Sequence, residues 1–153
     1  MTNIYNEGRL IMAGCLIIND KNEILLLFRS DHKFYETPGG KIRQEEVSDP
    51  NSPTIPEIIK SAQRELYEEL GDNIEIKKPE YFGKVKLTIP DGRPAIEHKV
   101  VVKILSGTPR INEQEQFSRL DWLPIDKLEK YPLSPDLRLL ASKIKKYVKK
   151  NKL

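Results

Sequence analysis

The chain has 153 residues, a formal net charge of +3, and 38% hydrophobic against 32% charged residues. These values are typical of one soluble globular domain with its own core, and we expect a single domain over residues 1–153. The longest apolar run, Leu10 to Ile18, has nine residues, whereas a membrane-spanning helix needs about 20. The single cysteine, Cys15, excludes an intramolecular disulfide, and nothing else indicates export. We therefore expect a cytoplasmic protein.

The net charge is too small to indicate nucleic-acid binding by itself, but the positive charge is unevenly distributed. Segment 143–153 contains six lysines and no acid. Such a segment is typical of the solvated face of a helix, and weak contact with nucleic acid or another polyanion is the alternative.

The first half of the chain predicts two buried strands, Arg9 to Ile18 and Ile24 to Arg29, joined by a short polar turn. Both are continuously apolar rather than alternating, which indicates a sheet covered on both faces. The stretch TPGGK, Thr37 to Lys41, is predicted to be a loop, because proline and paired glycines break helices and strands.

A long helix is predicted over about residues 55–70. Apolar residues recur there at intervals of three and four, which marks one buried stripe. Thr54 and Glu57 have the spacing of a capping box, and Gly71 is a plausible C-terminal stop.

The second half predicts a hairpin, a loop, a last strand and helices. Residues 81–89 and 95–105 flank the turn-forming PDGRP sequence, residues 106–118 are polar, and residues 119–123 form a short strand. Helical segments follow from Pro124 and, with a basic surface, over about residues 135–150. Together these elements predict an α/β sandwich with a mixed β-sheet.

Glu65, Glu68 and Glu69 lie at i, i+3 and i+4 of the predicted helix, where like charges repel. One interpretation is a solvated acidic face. The other is a site for a hard divalent cation, because Mg²⁺ and Mn²⁺ prefer oxygen ligands and offset the repulsion.

The residues around these acids follow a recognisable pattern. A glycine is followed six residues later by an acid, and the helix then carries Arg-Glu-aliphatic-x-Glu-Glu-x-Gly. The matching positions are Gly40, Glu46, Arg64, Glu65, Leu66, Glu68, Glu69 and Gly71. This resembles the box of the MutT-like Nudix hydrolase family, and the resemblance extends over roughly residues 9–145. It implies the Nudix-type α/β/α sandwich.

Two departures from the family pattern stand out. Seventeen residues separate Glu46 from Arg64, where the family has seven, so we interpret about residues 47–56 as an insertion. Its role stays open between a tolerated surface loop and a lid or partner contact. The insertion leaves Glu57 as a fallback for the Glu46 match. Asp72 replaces a usual aliphatic residue, and we expect little consequence.

The resemblance implies roles for the acids. Glu65 and Glu69 would be the main ligands of Mg²⁺ or Mn²⁺, and Glu68 a ligand or a base near the metal. Gly39 would offer its carbonyl group as a further ligand. Arg64 would orient the glutamates by charge-assisted hydrogen bonds, paired with Glu46.

Further residues are candidates for substrate contact. Arg29, Gly40 and Lys41 are expected to contact the diphosphate, with Arg43 as an additional cation. Many Nudix enzymes also use an acid from a late loop as base or extra ligand. Glu115 is the favoured candidate, and Glu113 is the alternative.

The implied activity is metal-dependent hydrolysis of a nucleoside diphosphate linked to another group X. A common or oxidised nucleoside triphosphate is the expected substrate and would give the monophosphate and pyrophosphate. The alternatives are an ADP-ribose-type pyrophosphatase, an RNA 5′ pyrophosphohydrolase and a non-catalytic nucleotide-binding regulator. Neither the X group and base preference nor the choice between monomer and homodimer can be predicted from the sequence.

Overall fold

A computed structural model describes residues 2–151 of the protein. Its strands are β1 (Tyr5–Asn6), β2 (Arg9–Ile17), β3 (Glu23–Arg29), β4 (Tyr35–Glu36), β5 (Gly39–Lys41), β6 (Glu75–Ile76), β7 (Glu80–Thr88), β8 (Pro94–Val102), β9 (Ile104–Ser106) and β10 (Phe117–Pro124). The helices are α1 (Ile55–Leu70) and α2 (Pro135–Lys150), with short 3₁₀ turns at Gln44–Glu46 and Ile125–Lys130. No helix within this range has the length and apolar composition needed to cross a membrane.

The main sheet is mixed, as predicted. Strand β2 pairs in parallel with β8 and antiparallel with β1 and β5, and β7 pairs antiparallel with β8. Strands β10, β3 and β4 form a second, antiparallel sheet. The predicted strand pair at residues 9–18 and 24–29 therefore exists, but its two members belong to different sheets.

The sheet is buried on both faces, which confirms the interpretation of its continuous apolar strands. Cys15 and Leu16 are adjacent in β2 and both fully buried, yet they belong to separate apolar clusters. Cys15 packs in the cluster that contains the buried stripe of α1, whereas Leu16 packs with α2. Because successive side chains of a strand point to opposite faces, this separation places one helix against each face of β2.

The predicted helix and its cap are confirmed. Helix α1 begins after Thr54, whose hydroxyl accepts from Glu57 N at 3.3 Å while the Glu57 carboxylate accepts from Thr54 N at 2.9 Å. It ends at Gly71. These end points fix the rotation of α1 and hence the direction of its acidic face.

The loop prediction for TPGGK was wrong in part, because Gly39–Lys41 form strand β5. Gly39 and Gly40 pair with Gly14 and Ala13 of β2. On either side, Cys15 N donates to Pro38 O at 2.8 Å and Ile42 N donates to Ile11 O at 3.1 Å. These backbone hydrogen bonds outweigh the low strand propensity of glycine.

The loop after β9 packs on the C-terminal end of α1. Arg110 N donates to Leu70 O at 3.0 Å, and Asn112 N donates to Glu69 O at 2.9 Å. The last carbonyls of a helix lack partners within the helix, so this loop satisfies two of them. It thereby brings residues 112–115 to the acidic face of α1.

Gly107 begins this loop, and its substitution should be costly for two reasons. It has φ +88°, and a Cβ there would overlap the Asn73 carbonyl oxygen. Gly92 has φ +94° but nothing within 4 Å of an added Cβ, so it is a matched control for the backbone contribution. We expect Gly92→Ala to lower the free energy of unfolding by about 1 kcal/mol and Gly107→Ala by about 3 kcal/mol or more. Urea denaturation of both variants measures the difference, and equal losses would contradict this account of Gly107.

Candidate active site

The acidic face of α1 is organised by Arg64. Its Nε donates to Glu46 Oε2 at 2.7 Å, and its Nη2 donates to Glu46 Oε1 at 3.0 Å and to the Lys41 carbonyl oxygen at 3.1 Å. Its Nη1 donates to Glu65 Oε1 at 2.9 Å and to both Glu68 oxygens at 3.1 Å. One guanidinium thus binds three carboxylates and links α1 to β5, as its planar set of donors allows.

Of the two acids considered for the position before the helix, Glu46 is the one at Arg64. It also accepts from Arg43 N at 2.9 Å and from Ser61 Oγ at 3.1 Å. Burial opposes its charge, but the hydrogen bonds from Arg64 and Arg43 lower the pKa of Glu46 below its usual value. Glu57 instead caps the N-terminus of α1, so the structure gives it no place beside Arg64.

Glu69 is the most buried acid of the face, with 3% of its surface exposed. Gly39 N donates to its Oε1 at 2.7 Å. Burial raises the pKa of Glu69 well above its usual value, the Gly39 hydrogen bond opposes that rise, and the charges of nearby acids add to it. This carboxylate therefore lies in a position where a cation would be strongly favoured.

Glu65 packs directly on the glycine strand. A Cβ added to Gly40 would lie 2.5 Å from Glu65 Oε1, so only glycine allows this close approach. Burial raises the pKa of Glu65, and the charge and hydrogen bond of Arg64 oppose that rise. The Glu65 carboxylate thus packs against the backbone of Gly40, with no side chain between them.

Of the two late-loop acids, Glu113 is half-buried and interacts electrostatically with the acids of α1. Asn112 Nδ2 donates to Glu68 O at 3.2 Å, which holds the loop beside the helix. Burial raises the pKa of Glu113, and the charges of Glu115 and Glu68 raise it further. Glu113 in turn raises the pKa of Glu69, whereas the Glu115 side chain is exposed to solvent.

The chemistry of the donors fits a hard divalent cation. Glu65, Glu68 and Glu69 supply only oxygen atoms, from one helix face, and burial disfavours two of these charges without a counterion. Within residues 2–151 no three potential ligand side chains already converge as a metal cluster. Glu65 and Glu68 are held by Arg64, so cation binding would require them to reorient.

A cavity of about 590 Å³ adjoins this face, a size typical of small-molecule sites. Gly39, Gly40, Lys41, Arg43 and Glu65 line one end of it.

Arg29 also lines the cavity, but its guanidinium is bonded to Asp31 at 2.8 Å and to Glu36 at 3.4 Å. Of the residues expected to contact substrate, Gly40 and Lys41 therefore lie at the acidic face, and Arg29 lies in an ion-pair network.

The segment interpreted as an insertion does not line the cavity. Residues 47–54 form turns before α1, and Ile55 and Pro56 already belong to the helix. Ser48 N donates to Glu57 Oε2 at 2.8 Å, and Asn6 Nδ2 donates to Asn51 O at 3.2 Å. These contacts hold the segment against the N-terminus of α1 and the end of β1.

Four ionisable residues that also line the cavity were not among those predicted from the sequence, namely Glu36, Glu97, Lys99 and Asp136. Lys99 is 2% exposed, and its Nζ lies 2.6 Å from Asp136 Oδ2. One signal was available in the sequence: Glu97 and Lys99 lie two residues apart in a largely apolar strand, so they face the same side. Asp136 could not be assigned to them, because it lies on α2.

Comparison with known proteins identifies the class. The NUDIX domain model matches residues 8–144, and the chain therefore belongs to the Nudix family. Members of this family are generally divalent-metal-dependent pyrophosphohydrolases. The predicted class of enzyme, a Nudix pyrophosphohydrolase, is thereby confirmed. A comparison with curated protein sequences gave no significant match.

Solved structures show the same fold. A MutT Nudix hydrolase from Burkholderia pseudomallei is 24% identical, with a TM-score of 0.67 over 86% of this chain and 95% of the other. The Nudix domain of Shewanella oneidensis NrtR, solved with ADP ribose, is 17% identical, with a TM-score of 0.69 over 93% and 90%. The ORF135 protein of E. coli is 26% identical, with a TM-score of 0.59 over 86% and 85%.

The Glu69→Gln variant distinguishes the destabilising effect of a buried charge from the stabilising effect of a bound cation. The folded-state pKa of Glu69 lies above the unfolded value of about 4.3, so its ionisation lowers stability increasingly as pH rises above that value. Without metal, Glu69→Gln should therefore be at least as stable as the wild type at pH 8. Saturating Mn²⁺ should stabilise the wild type by about 2.7 kcal/mol at 100 times its Kd, and the variant much less.

Thermal denaturation at pH 5 and pH 8, with and without Mn²⁺, measures both effects. Glu45→Gln is the matched control, because Glu45 is exposed on the neighbouring 3₁₀ turn. Equal Mn²⁺ stabilisation of wild type and Glu69→Gln would contradict the assignment of Glu69 as a ligand.

Proposed function

We propose that the protein hydrolyses a common or oxidised nucleoside triphosphate to the monophosphate and pyrophosphate. The observation that carries this proposal is a cavity lined both by Glu65 of the acidic face and by buried polar residues of β8 and α2. A polyphosphate needs cations and metal-binding acids, and a nucleobase needs a pocket with few, well-placed polar groups. Both requirements are met along one cavity of about 590 Å³.

The polyphosphate would lie at Lys41 and Arg43, which line the cavity beside Glu65. Glu65, Glu68, Glu69 and the Gly39 carbonyl would hold Mg²⁺ or Mn²⁺. The bound ion supplies charge neutralisation at the phosphate oxygens and lowers the pKa of water.

The protein's own residues then position the reactants. Arg64 orients Glu65 and Glu68, and the Gly39 N–H group orients Glu69. We assign Glu113, in place of the expected Glu115, as the late-loop acid that accepts the proton of the attacking water. The water oxygen forms the new bond to phosphorus, and the bridging oxygen leaves with pyrophosphate. The raised pKa of Glu113 suits a general base.

An ADP-ribose-type pyrophosphatase is the second candidate. It is supported by the Shewanella oneidensis structure, whose Nudix domain is complexed with ADP ribose. An RNA 5′ pyrophosphohydrolase has support only from the lysines of α2 and would bind substrate with strong salt dependence. A purely regulatory domain would not need the full set of Arg64-linked carboxylates.

The domain organisation, compartment and oligomeric state are likewise part of the proposal. We propose that residues 1–153 act as one domain in the cytoplasm, as a monomer or homodimer. The single cysteine supports a reducing compartment, because it is buried and its Sγ donates to the Ala62 carbonyl oxygen.

A substrate panel tests the proposed function. The protein is incubated with Mg²⁺ or Mn²⁺ and common or oxidised nucleoside triphosphates, ADP-ribose, NADH, diadenosine polyphosphates or 5′-triphosphate RNA. We expect release of pyrophosphate from a nucleoside triphosphate, lost in Glu69→Gln and kept in Glu45→Gln. Turnover of ADP-ribose or RNA alone would replace the proposal with that alternative. Nucleotide binding without any turnover would indicate the regulatory alternative.

The late-loop acid has its own test. Glu113→Gln should lower kcat by about 10²- to 10⁴-fold, the usual contribution of a general base. Glu115→Gln, two residues away and exposed, should stay within about twofold of the wild type. Steady-state kinetics of both variants on the substrate found in the panel measure this difference. The reverse ranking would restore Glu115 as the late-loop acid.

A further inference from the structure

The end of the cavity away from α1 is an ionisable cluster that the proposed chemistry does not use. Glu97 and Lys99 come from β8, Asp136 from α2 and Glu36 from β4, and all line the cavity. Their side chains are largely inaccessible to solvent: 2% of Lys99, 8% of Asp136 and 13% of Glu97 is exposed. Charged groups this deep are retained only with partners or a ligand.

The cations of the cluster are already engaged. Lys99 Nζ donates to Asp136 Oδ2 at 2.6 Å and to Thr37 Oγ1 at 2.7 Å. Arg29 is bonded to Asp31 and Glu36. Glu36, Glu97 and Asp136 therefore share two cations, Lys99 and Arg29. Arg29 is also bonded to a fourth acid, Asp31.

One acceptor of the cluster is left over. Glu97 Oε2 is buried and has no hydrogen-bond partner among residues 2–151, although it lies 3.4 Å from Lys99 Nζ. Ser134 Oγ, at the N-cap of α2, is the other buried side-chain atom in this state. Both residues line the cavity. An unpaired buried acceptor costs about 1–3 kcal/mol, so a ligand that donates a hydrogen bond here would recover that cost.

The ionisation of Glu97 depends on its buried neighbours. Burial raises the pKa of Glu97 to about 8, the charge of Lys99 opposes the rise, and the charge of Asp136 adds to it. A donor in the cavity that reached Oε2 would supply the hydrogen bond that this acceptor lacks.

The cavity walls suit a flat ring at this position. Met12, Phe34 and Leu87 provide apolar surface within the same cavity. A nucleobase buries such a ring and presents either an amino donor or a keto acceptor at its edge.

We propose that Glu97 Oε2 accepts a hydrogen bond from the exocyclic amino group of the substrate base, so that cytosine or adenine is bound in preference to uracil or hypoxanthine. A keto oxygen at this point would place two acceptors together and leave both unpaired. Sites built around a buried polar group reject the unmatched analogue strongly. The proposal rests on a nucleotide being the substrate, as argued above.

Matched ligand pairs test the proposal without turnover. Titration calorimetry in the absence of metal gives the Kd of CMP against UMP and of AMP against IMP. In each pair, a keto group and an adjacent ring N–H replace the amino group and an unprotonated ring nitrogen. We expect the wild type to bind at least one amino member about tenfold or more tightly than its keto counterpart. Equal binding within each pair, preference for the keto members, or no binding of any of the four would overturn the proposal.

Two variants assign the effect to Glu97. In Glu97→Gln the amide N–H can donate to Asp136 while its oxygen faces the cavity, so the amino preference should persist. Glu97→Leu removes the acceptor at similar volume, and the preference should fall to about twofold or less. Glu80→Leu, at an exposed position of β7, is the control. A structural defect would weaken both members of a pair alike, so an unchanged ratio in Glu97→Leu would remove Glu97 from the proposal.

Failure of this test is distinguishable from failure of the proposed function. The panel assay measures cleavage of the polyphosphate at α1, whereas the calorimetry measures binding of the base at Glu97. If the protein hydrolysed nucleoside triphosphates without preferring bases that carry an amino group, the proposed function would stand. Only the inference about Glu97 would be rejected.

Discussion

The guanidinium of Arg64 is the interaction on which the acidic face depends. Glu65, Glu68 and Glu69, at positions i, i+3 and i+4, would repel each other on an isolated helix. Arg64 offsets this repulsion by bonding to Glu65 and Glu68 on its own helix and to Glu46 from the preceding segment. Its side chain is 21% exposed, so these pairs are partly shielded from water and stronger than ordinary surface pairs. Lysine, with a single compact charge, could not make the same set of bonds.

Backbone groups fix the acids as firmly as side chains do. Glu69 is held at both ends: its carboxylate accepts from Gly39 N in β5, and its carbonyl accepts from Asn112 N in the late loop. The backbone of Lys41 likewise accepts from Arg64. The site therefore lies where a strand, a helix end and a loop meet, and its geometry depends on the pairing of β5 with β2. This explains why a segment that resembles a loop in sequence is a strand in the structure.

The features that could be predicted from the sequence are those encoded locally. The continuously apolar strands predicted a sheet that is covered on both faces, and Thr54 with Glu57 predicted the start of α1. Long-range pairing was not accessible. The late loop is held against the end of α1 by Asn112, and no local pattern encodes that anchor. Lys99 and Asp136 meet only because α2 packs on the sheet.

The two ends of the cavity neutralise their acids differently, and Glu36 connects them. Arg64 pairs with exposed and half-buried glutamates at α1. The buried Lys99 instead pairs with Asp136, with Nζ 2.6 Å from Oδ2. Burial raises the pKa of Glu36 to about 7; Arg29 opposes the rise, and Asp136 adds to it. The charge of Glu36 in turn raises the pKa of Glu69. Glu36 thus interacts electrostatically both with Asp136 of α2 and with Glu69 of α1.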